Sequence, residues 1–255
     1  MGGGSSMYGE IQRKSALVES RKPYGERLIQ FLKETDQVDW IFSCLRLGGS
    51  VLTKESVRKI LQGELVTDVA LADHLKLHRY VEAMKRLEGM KEMQYDLLSS
   101  SGMKKLYEAL YDEEPHYRRR DPVLPQWDHL PPHFTELEEQ MSLLYSEVDE
   151  WKEGAELSDG SRSNPLLQAC YLHMRLLEVY PFGEETEDLA RFALLYEMNC
   201  AGFPVTVISM SEQEYNICVM NFLRTGDIRP FYRVMERAVY NKLEVILQIT
   251  AEDER

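Results

Sequence analysis

Long apolar runs are absent from this 255-residue sequence: none approaches the ~20 residues that a helix needs to span a bilayer, which excludes a helical membrane anchor within it. No secretory leader pattern opens the chain, so the expected location is the cytoplasm. Positive charge is scarce as well, with 30 Lys and Arg against 43 Asp and Glu and a net charge of −13. A nucleic-acid partner needs a basic footprint to displace counterions from its phosphates, so none is expected, and basic protein segments fit better. Cysteine is sparse: Cys44, Cys170, Cys200 and Cys218 stand far apart, with no Cys-x-x-Cys pair and no histidine at metal spacing. They read as reduced core thiols. The opening Gly/Ser run, residues 1–6, fits a myristoylation pattern formally, yet a second methionine, Met7, follows it. It reads as an expression scar, and residues 7–255 as a single domain.

What is present is helical periodicity, and the expected fold class is all-α. Apolar residues recur at helical spacing over 15–47, broken at Lys22-Pro23-Tyr24-Gly25, and Thr53 caps a short helix that ends at Gly63. A helix over 70–95 is predicted to bury Leu71, Leu75, Leu77, Val81, Met84, Leu87 and Met90. Ser100 or Ser101 caps another through Leu110. Two prolines and alternating polarity then make His116 to Leu124 an extended or hairpin segment. Further helices are predicted over 131–151, 165–179, 189–201, 212–223 and 230–249, with a polar loop at 154–164 between the first two of these. The 189–201 helix is apolar on several faces and should be the buried centre.

The chain is organised around Val179-Tyr180-Pro181-Phe182-Gly183-Glu184-Glu185-Thr186-Glu187-Asp188-Leu189-Ala190-Arg191. Pro181 and Gly183 turn it, Thr186 is predicted as N-cap, and acids in the first turn suit the helix dipole. This stretch resembles the signature of the Fic (filamentation induced by cAMP) family, His-Pro-Phe-x-Asp/Glu-Gly-Asn-Gly-Arg-x-x-Arg, which wraps the phosphates of a nucleotide. Pro181, Phe182, Glu184 and Arg191 match it, whereas Tyr180 stands at the position of the general-base histidine and Glu185, Thr186, Glu187 and Asp188 replace Gly-Asn-Gly-Arg. The resemblance implies a Fic-like helical domain, its core about 39–245, with a short β-hairpin or extended flap.

Two other segments carry the same resemblance. Ser43 and Gly48 fit the family's inhibitory segment, with Leu47 where its glutamate would be. Tyr117 and Arg118, followed by Val123 and Leu124, fit the flap that holds a target chain by strand addition. The spacing His-x-x-Leu-x-x-Val-Tyr-Pro-Phe also follows the family, making His173 a scaffold histidine.

These departures fall on the chemistry. A phenol, with a reference pKa near ~10, is a poor base at neutral pH, and carboxylates repel phosphate where backbone N–H groups and an arginine should draw it in. The expected function is that of a degenerate Fic-fold protein, unable to transfer AMP and acting as a protein-interaction module without a cofactor. The alternative is a Fic-fold transferase that modifies protein side chains with another donor or base, with a divalent metal held at Glu184. Three readings stay open for Glu184, Glu185, Glu187 and Asp188: a solvated helix start, internal pairing with Arg118 to Arg120, or a recognition surface for a basic segment.

Overall fold

The computed structural model describes residues 6–152 and 164–253. Within them lie α1 (Met7–Ser20), α2 (Glu26–Leu47), α3 (Lys54–Leu61), α4 (Leu71–Glu92), α5 (Ser100–Tyr111), α6 (Leu137–Lys152), α7 (Pro165–Val179), α8 (Glu185–Cys200), α9 (Glu212–Thr225) and α10 (Arg229–Asp253). The all-α class holds. Local chemistry sets several helix starts: the side chains of Ser6, Thr53, Ser99, Asn164 and Ser211 each accept a hydrogen bond from a first-turn amide. Ser211 and Glu214 complete a reciprocal capping box. α1 begins at Met7, earlier than apolar spacing indicates, because Ser6 caps it and its buried face is only Ile11 and Val18. Residues 1–5 of the presumed scar and 154–163 of the polar loop lie outside the described residues.

The centre is the α7–α8 pair. Leu189, Ala190, Phe192, Ala193 and Leu194 of α8 are fully buried, and Trp40 of α2 and Tyr80 of α4 set their rings edge-on to Phe192, with centroids 6.3 and 5.3 Å away. Around it α1 packs on α10, α6 on α7, α4 on α5 and α2 on α3. α4 corrects the predicted stripe: Leu71 and Leu75 are 72% and 62% exposed, while the buried face is His74, Leu77, Tyr80, Ala83, Leu87 and Met90. The polar tips of His74 and Tyr80 have acceptors inside the fold, the Val66 carbonyl and Asp188, which is what lets these two residues point inward.

Ser99, rather than Ser100 or Ser101, caps α5, and the following turn is tight. A Cβ added at Gly102 would lie 1.8 Å from the Asp96 carbonyl oxygen. Gly102→Ala must therefore push α5 from its seat, at an expected cost of about 3 kcal/mol. Urea denaturation of the variant checks this, and an unchanged midpoint would contradict it.

The flap contains one antiparallel bridge among the described residues, Leu124 to His129, and no longer ladder. Pro122 and Pro125 remove amide donors on one arm, which limits pairing. Side-chain hydrogen bonds hold it instead. The cysteines also differ from expectation: Cys44 and Cys170 are buried, Cys218 is half-buried and Cys200 is exposed. No helix among the described residues is long and apolar enough to cross a membrane.

Candidate functional site

The turn between α7 and α8 is built on two left-handed residues, Tyr180 (φ 50°) and Gly183 (φ 67°). The Tyr180 amide closes α7 on the Leu176 carbonyl at 2.8 Å. Thr186 does not cap α8 as predicted. Helix geometry is reached at Glu184, so Thr186 falls inside the first turn, where its buried hydroxyl accepts from the Phe182 amide at 2.9 Å. That bond folds the turn back on the helix start. Phe182 fills the space beneath it, packing against Tyr107 and Tyr117 at 5.0 and 5.3 Å between ring centroids.

Tyr180 is buried, lies edge-on to Trp127, and donates its hydroxyl to Glu187 Oε1 at 3.2 Å. Burial, and then the negative charge of Glu187 and Glu184, push the phenol above its ordinary value. At neutral pH its oxygen therefore keeps its proton, and that proton is committed to a carboxylate.

The four acids separate by environment. Glu184 is exposed, Glu185 and Glu187 are half-buried, and Asp188 is buried. Asp188 corrects the idea of a uniformly solvated helix start. Arg191 Nη2 donates to its Oδ1 at 2.8 Å, the Tyr80 hydroxyl donates to the same oxygen, and Lys76 Nζ is 3.4 Å from Oδ2. Burial alone would raise the Asp188 carboxyl, but the charges of Arg191 and Lys76 and the Tyr80 hydrogen bond outweigh it and hold the group below its usual range. Arg191 is 1% exposed, and its Nη1 is also 4.0 Å from Glu187 Oε2.

The remnant of the inhibitory segment adjoins this network through its backbone. A Cβ on Gly48, at the C-terminal cap of α2, would be 3.8 Å from Arg191 Nη2, so the guanidinium sits beside the negative end of a helix. Leu47 is buried in the core, and Ser43 donates to the Ile208 carbonyl at 3.2 Å. No residue of this segment supplies a carboxylate to Arg191. Asp188 does so from its own helix.

Internal pairing between the acids and Arg118 to Arg120 is not what the structure contains. Among the described residues Arg118 pairs with Asp121 at 2.8 Å, and it donates to the carbonyls of Tyr180, Arg120 and Pro132. Its amide donates to the Pro181 carbonyl at 2.9 Å, so Arg118 staples the flap to the turn. Tyr117 is half-buried and Leu124 buried, whereas Val123 is 75% exposed. Arg119, Arg120 and His116 border a cleft of about 650 Å³ that reaches Gly183. No three His, Cys, Asp or Glu side chains among the described residues converge on a metal position.

His173 is fully buried on α7. One ring nitrogen, Nδ1, lies 2.8 Å from the Ala190 carbonyl and the other, Nε2, 2.9 Å from the Tyr215 hydroxyl, while the ring stacks on Phe231. The carbonyl requires a donor, so Nδ1 carries the proton and Nε2 accepts from Tyr215. Sequence reasoning missed Tyr80, Lys76 and Tyr215. The signal for Tyr80 was its place three residues from both Leu77 and Ala83, on a buried face where a phenol needs a polar partner.

No family model matches the chain. A protein adenylyltransferase Fic of Nematostella vectensis is 28% identical over 123 residues, which is 48% of this chain and 27% of that protein. One of Culex quinquefasciatus is 21% identical over 221 residues, 84% of this chain and 42% of its own length. The chain thus spans well under half the length of these curated relatives. A Fic domain containing signaling protein from Bacteroides thetaiotaomicron superposes with a TM-score of 0.78 at 15% identity, covering 97% of this chain and 98% of that one. Fic-1 from C. elegans gives 0.70 at 17% identity, over 96% of this chain and 72% of the other. The architecture is therefore the Fic-domain fold. In sequence the chain is similar to proteins named Fic over as much as 84% of its length.

Proposed function

We propose that this Fic-fold chain does not transfer AMP and works as a protein-interaction module, with residues 7–255 as one Fic-like domain in the cytoplasm. The single observation that carries the reading is the buried ion pair of Arg191 Nη2 with Asp188 inside the α8 entrance. In the signature that the loop resembles, this arginine belongs to a phosphate site. Here a carboxylate one turn away on the same helix already occupies it, and Glu185 and Glu187 add negative charge where the helix N-terminus would otherwise favour an anion. Tyr180 offers no base, since its proton is held by Glu187. The adenylyltransferase names belong to the relatives, and this chain departs from the resembled motif at the positions that do the chemistry.

A binding role draws on what remains at the surface. Glu184, with Glu185 and Glu187 partly accessible, offers carboxylates to a basic segment, and Arg118 does not neutralise them. Asp188 is excluded from that surface by its burial. The alternative, a transferase with another donor or base, would use the exposed Glu184 as base or metal ligand.

The test is titration calorimetry with ATP and Mg²⁺, followed by incubation of the protein and cell extract with a labelled ATP analogue. No heat in the micromolar range and no covalent label are expected. Micromolar affinity, or label retained after denaturation, refutes the reading. The same incubation with other labelled nucleotides tests the alternative.

A further inference from the structure

The segment between α8 and α9 holds an unpaired strand edge. α8 ends at Cys200, Gly202 (φ 82°) turns the chain, and residues 203–209 then run without helix or bend and with period-2 burial until the Met210 amide turns back to the Ile208 carbonyl at 3.0 Å: Thr206, Ile208 and Met210 are buried, Val205 and Val207 half-buried, and Ser209 exposed. Its inner side is fixed. The Ile208 carbonyl accepts from the Ser43 hydroxyl, and the Met210 carbonyl accepts from Arg46 at 2.5 Å, so α2 anchors the segment at two successive inward residues. From Val205 to Ser209 none of the five backbone N–H groups donates to a protein acceptor among the described residues, and by alternation those of Val205, Val207 and Ser209 lie on the side away from the two anchors. The carbonyls of Val205, Thr206 and Val207 accept nothing from the protein either.

Peptide groups in a folded chain are almost always paired, with water or with another backbone. An anchored, extended, β-branched segment with its polar edge free is a template for one more strand. The surroundings leave room for it. Cavities of about 440 and 190 Å³ flank the segment and share Val207 and Ser209 in their walls. Their charged lips are already committed, Lys54 to Asp39, Lys242 to Asp36, Arg46 to the Met210 carbonyl and Glu214 to the Ser211 cap, so the groove suits an uncharged occupant. Beside Val205 and Val207 stand Phe42 and the 45%-exposed Val245, which gives apolar contact at alternate positions.

We propose that Val205 to Ser209 is a strand-addition site that takes an extended, uncharged, β-branched segment of a partner protein. Backbone pairing supplies the affinity, and Val205 and Val207 select alternate apolar side chains. The inference goes beyond the reading of the α8 loop and holds whether or not that loop transfers a nucleotide.

The experiment uses the full chain and a blocked heptapeptide of alternating valine and threonine, read by amide hydrogen exchange in NMR. One alternate set of the amides from Val205 to Ser209 is expected to slow at least tenfold on saturation, since every second N–H of an edge strand faces its neighbour. The same peptide N-methylated at alternate residues is expected to bind at least tenfold more weakly, and this comparison leaves the protein untouched. Val207→Pro, which deletes one donor, should weaken binding, while Val207→Thr should retain it. Unchanged exchange at these amides, equal binding of the methylated peptide, or protection that rises with protein concentration alone would each overturn the proposal, the last by assigning the edge to a second copy of the chain.

Discussion

Asp188→Arg is expected to be the most destabilising single substitution at the α8 entrance, costing at least about 4 kcal/mol. The change would place a second guanidinium against Arg191 and Lys76 in a site where Asp188 is 7% and Arg191 1% exposed. Breaking a buried pair leaves an uncompensated charge, which typically costs about 3–5 kcal/mol, and like-charge repulsion adds to it. For a chain of this length that corresponds to a fall in melting temperature on the order of 10 °C. Asp188→Asn should cost less, because it keeps an acceptor for the Tyr80 hydroxyl. Replacing both partners, Asp188→Leu with Arg191→Met, should recover most of the loss, since an apolar pair carries no buried charge. By contrast, Glu185→Gly and Glu187→Gly remove half-buried side chains and should each shift stability modestly. Thermal denaturation of the set separates these outcomes. A melting temperature for Asp188→Arg within a degree of the parent would mean that the acid is solvated after all.

This result bears on how far the loop could be read from its letters. The sequence places four acids at a helix start, and sequence alone treats them as equivalent, because nothing local distinguishes Glu184 from Asp188. Their burial is decided by α4, 108 residues away at Tyr80, and such a contact leaves no trace in helical spacing. On a purely solvated reading, replacing Glu185, Glu187 and Asp188 with Gly, Gly and Arg would leave stability nearly unchanged. The structure reverses that expectation through Asp188.

The legible parts were those set by local chemistry. Thr53 and Ser211 announce their helices, and the apolar α8 reads as the centre that it is. The flap was half legible: prolines and polarity indicate an extended path, but the Arg118 staple to the Tyr180 and Pro132 carbonyls replaces strand pairing, and only the packed fold reveals it. Leu71 and Leu75 misled because periodicity counts apolar letters, and a phenol or imidazole with a buried acceptor takes their place on the inner face.

His173 gives the second large effect, an acid-dependent loss of stability. Burial is the main cause that lowers its imidazole from the ordinary 6.5 to about 4; the Ala190 carbonyl opposes this and the nearby Arg191 charge assists it. The unfolded chain then binds a proton near pH 6.5 that the folded chain refuses until about pH 4, so between those values the unfolded state holds more protons. Stability from this group is fully present above the unfolded value and falls as pH drops through the window, by about 3 kcal/mol in all. The loss contributed by Asp188 comes lower, because its carboxyl is held below its usual range and protonates only at more acid pH. Urea midpoints measured from pH 7.5 to 4 should therefore decline, and His173→Gln, less stable at neutral pH, should show a flatter decline because it removes the titrating group. An equal slope in parent and variant would show that the imidazole does not carry the effect. An NMR titration that finds His173 protonating near its ordinary value in the folded chain would show that the imidazole is not buried as described.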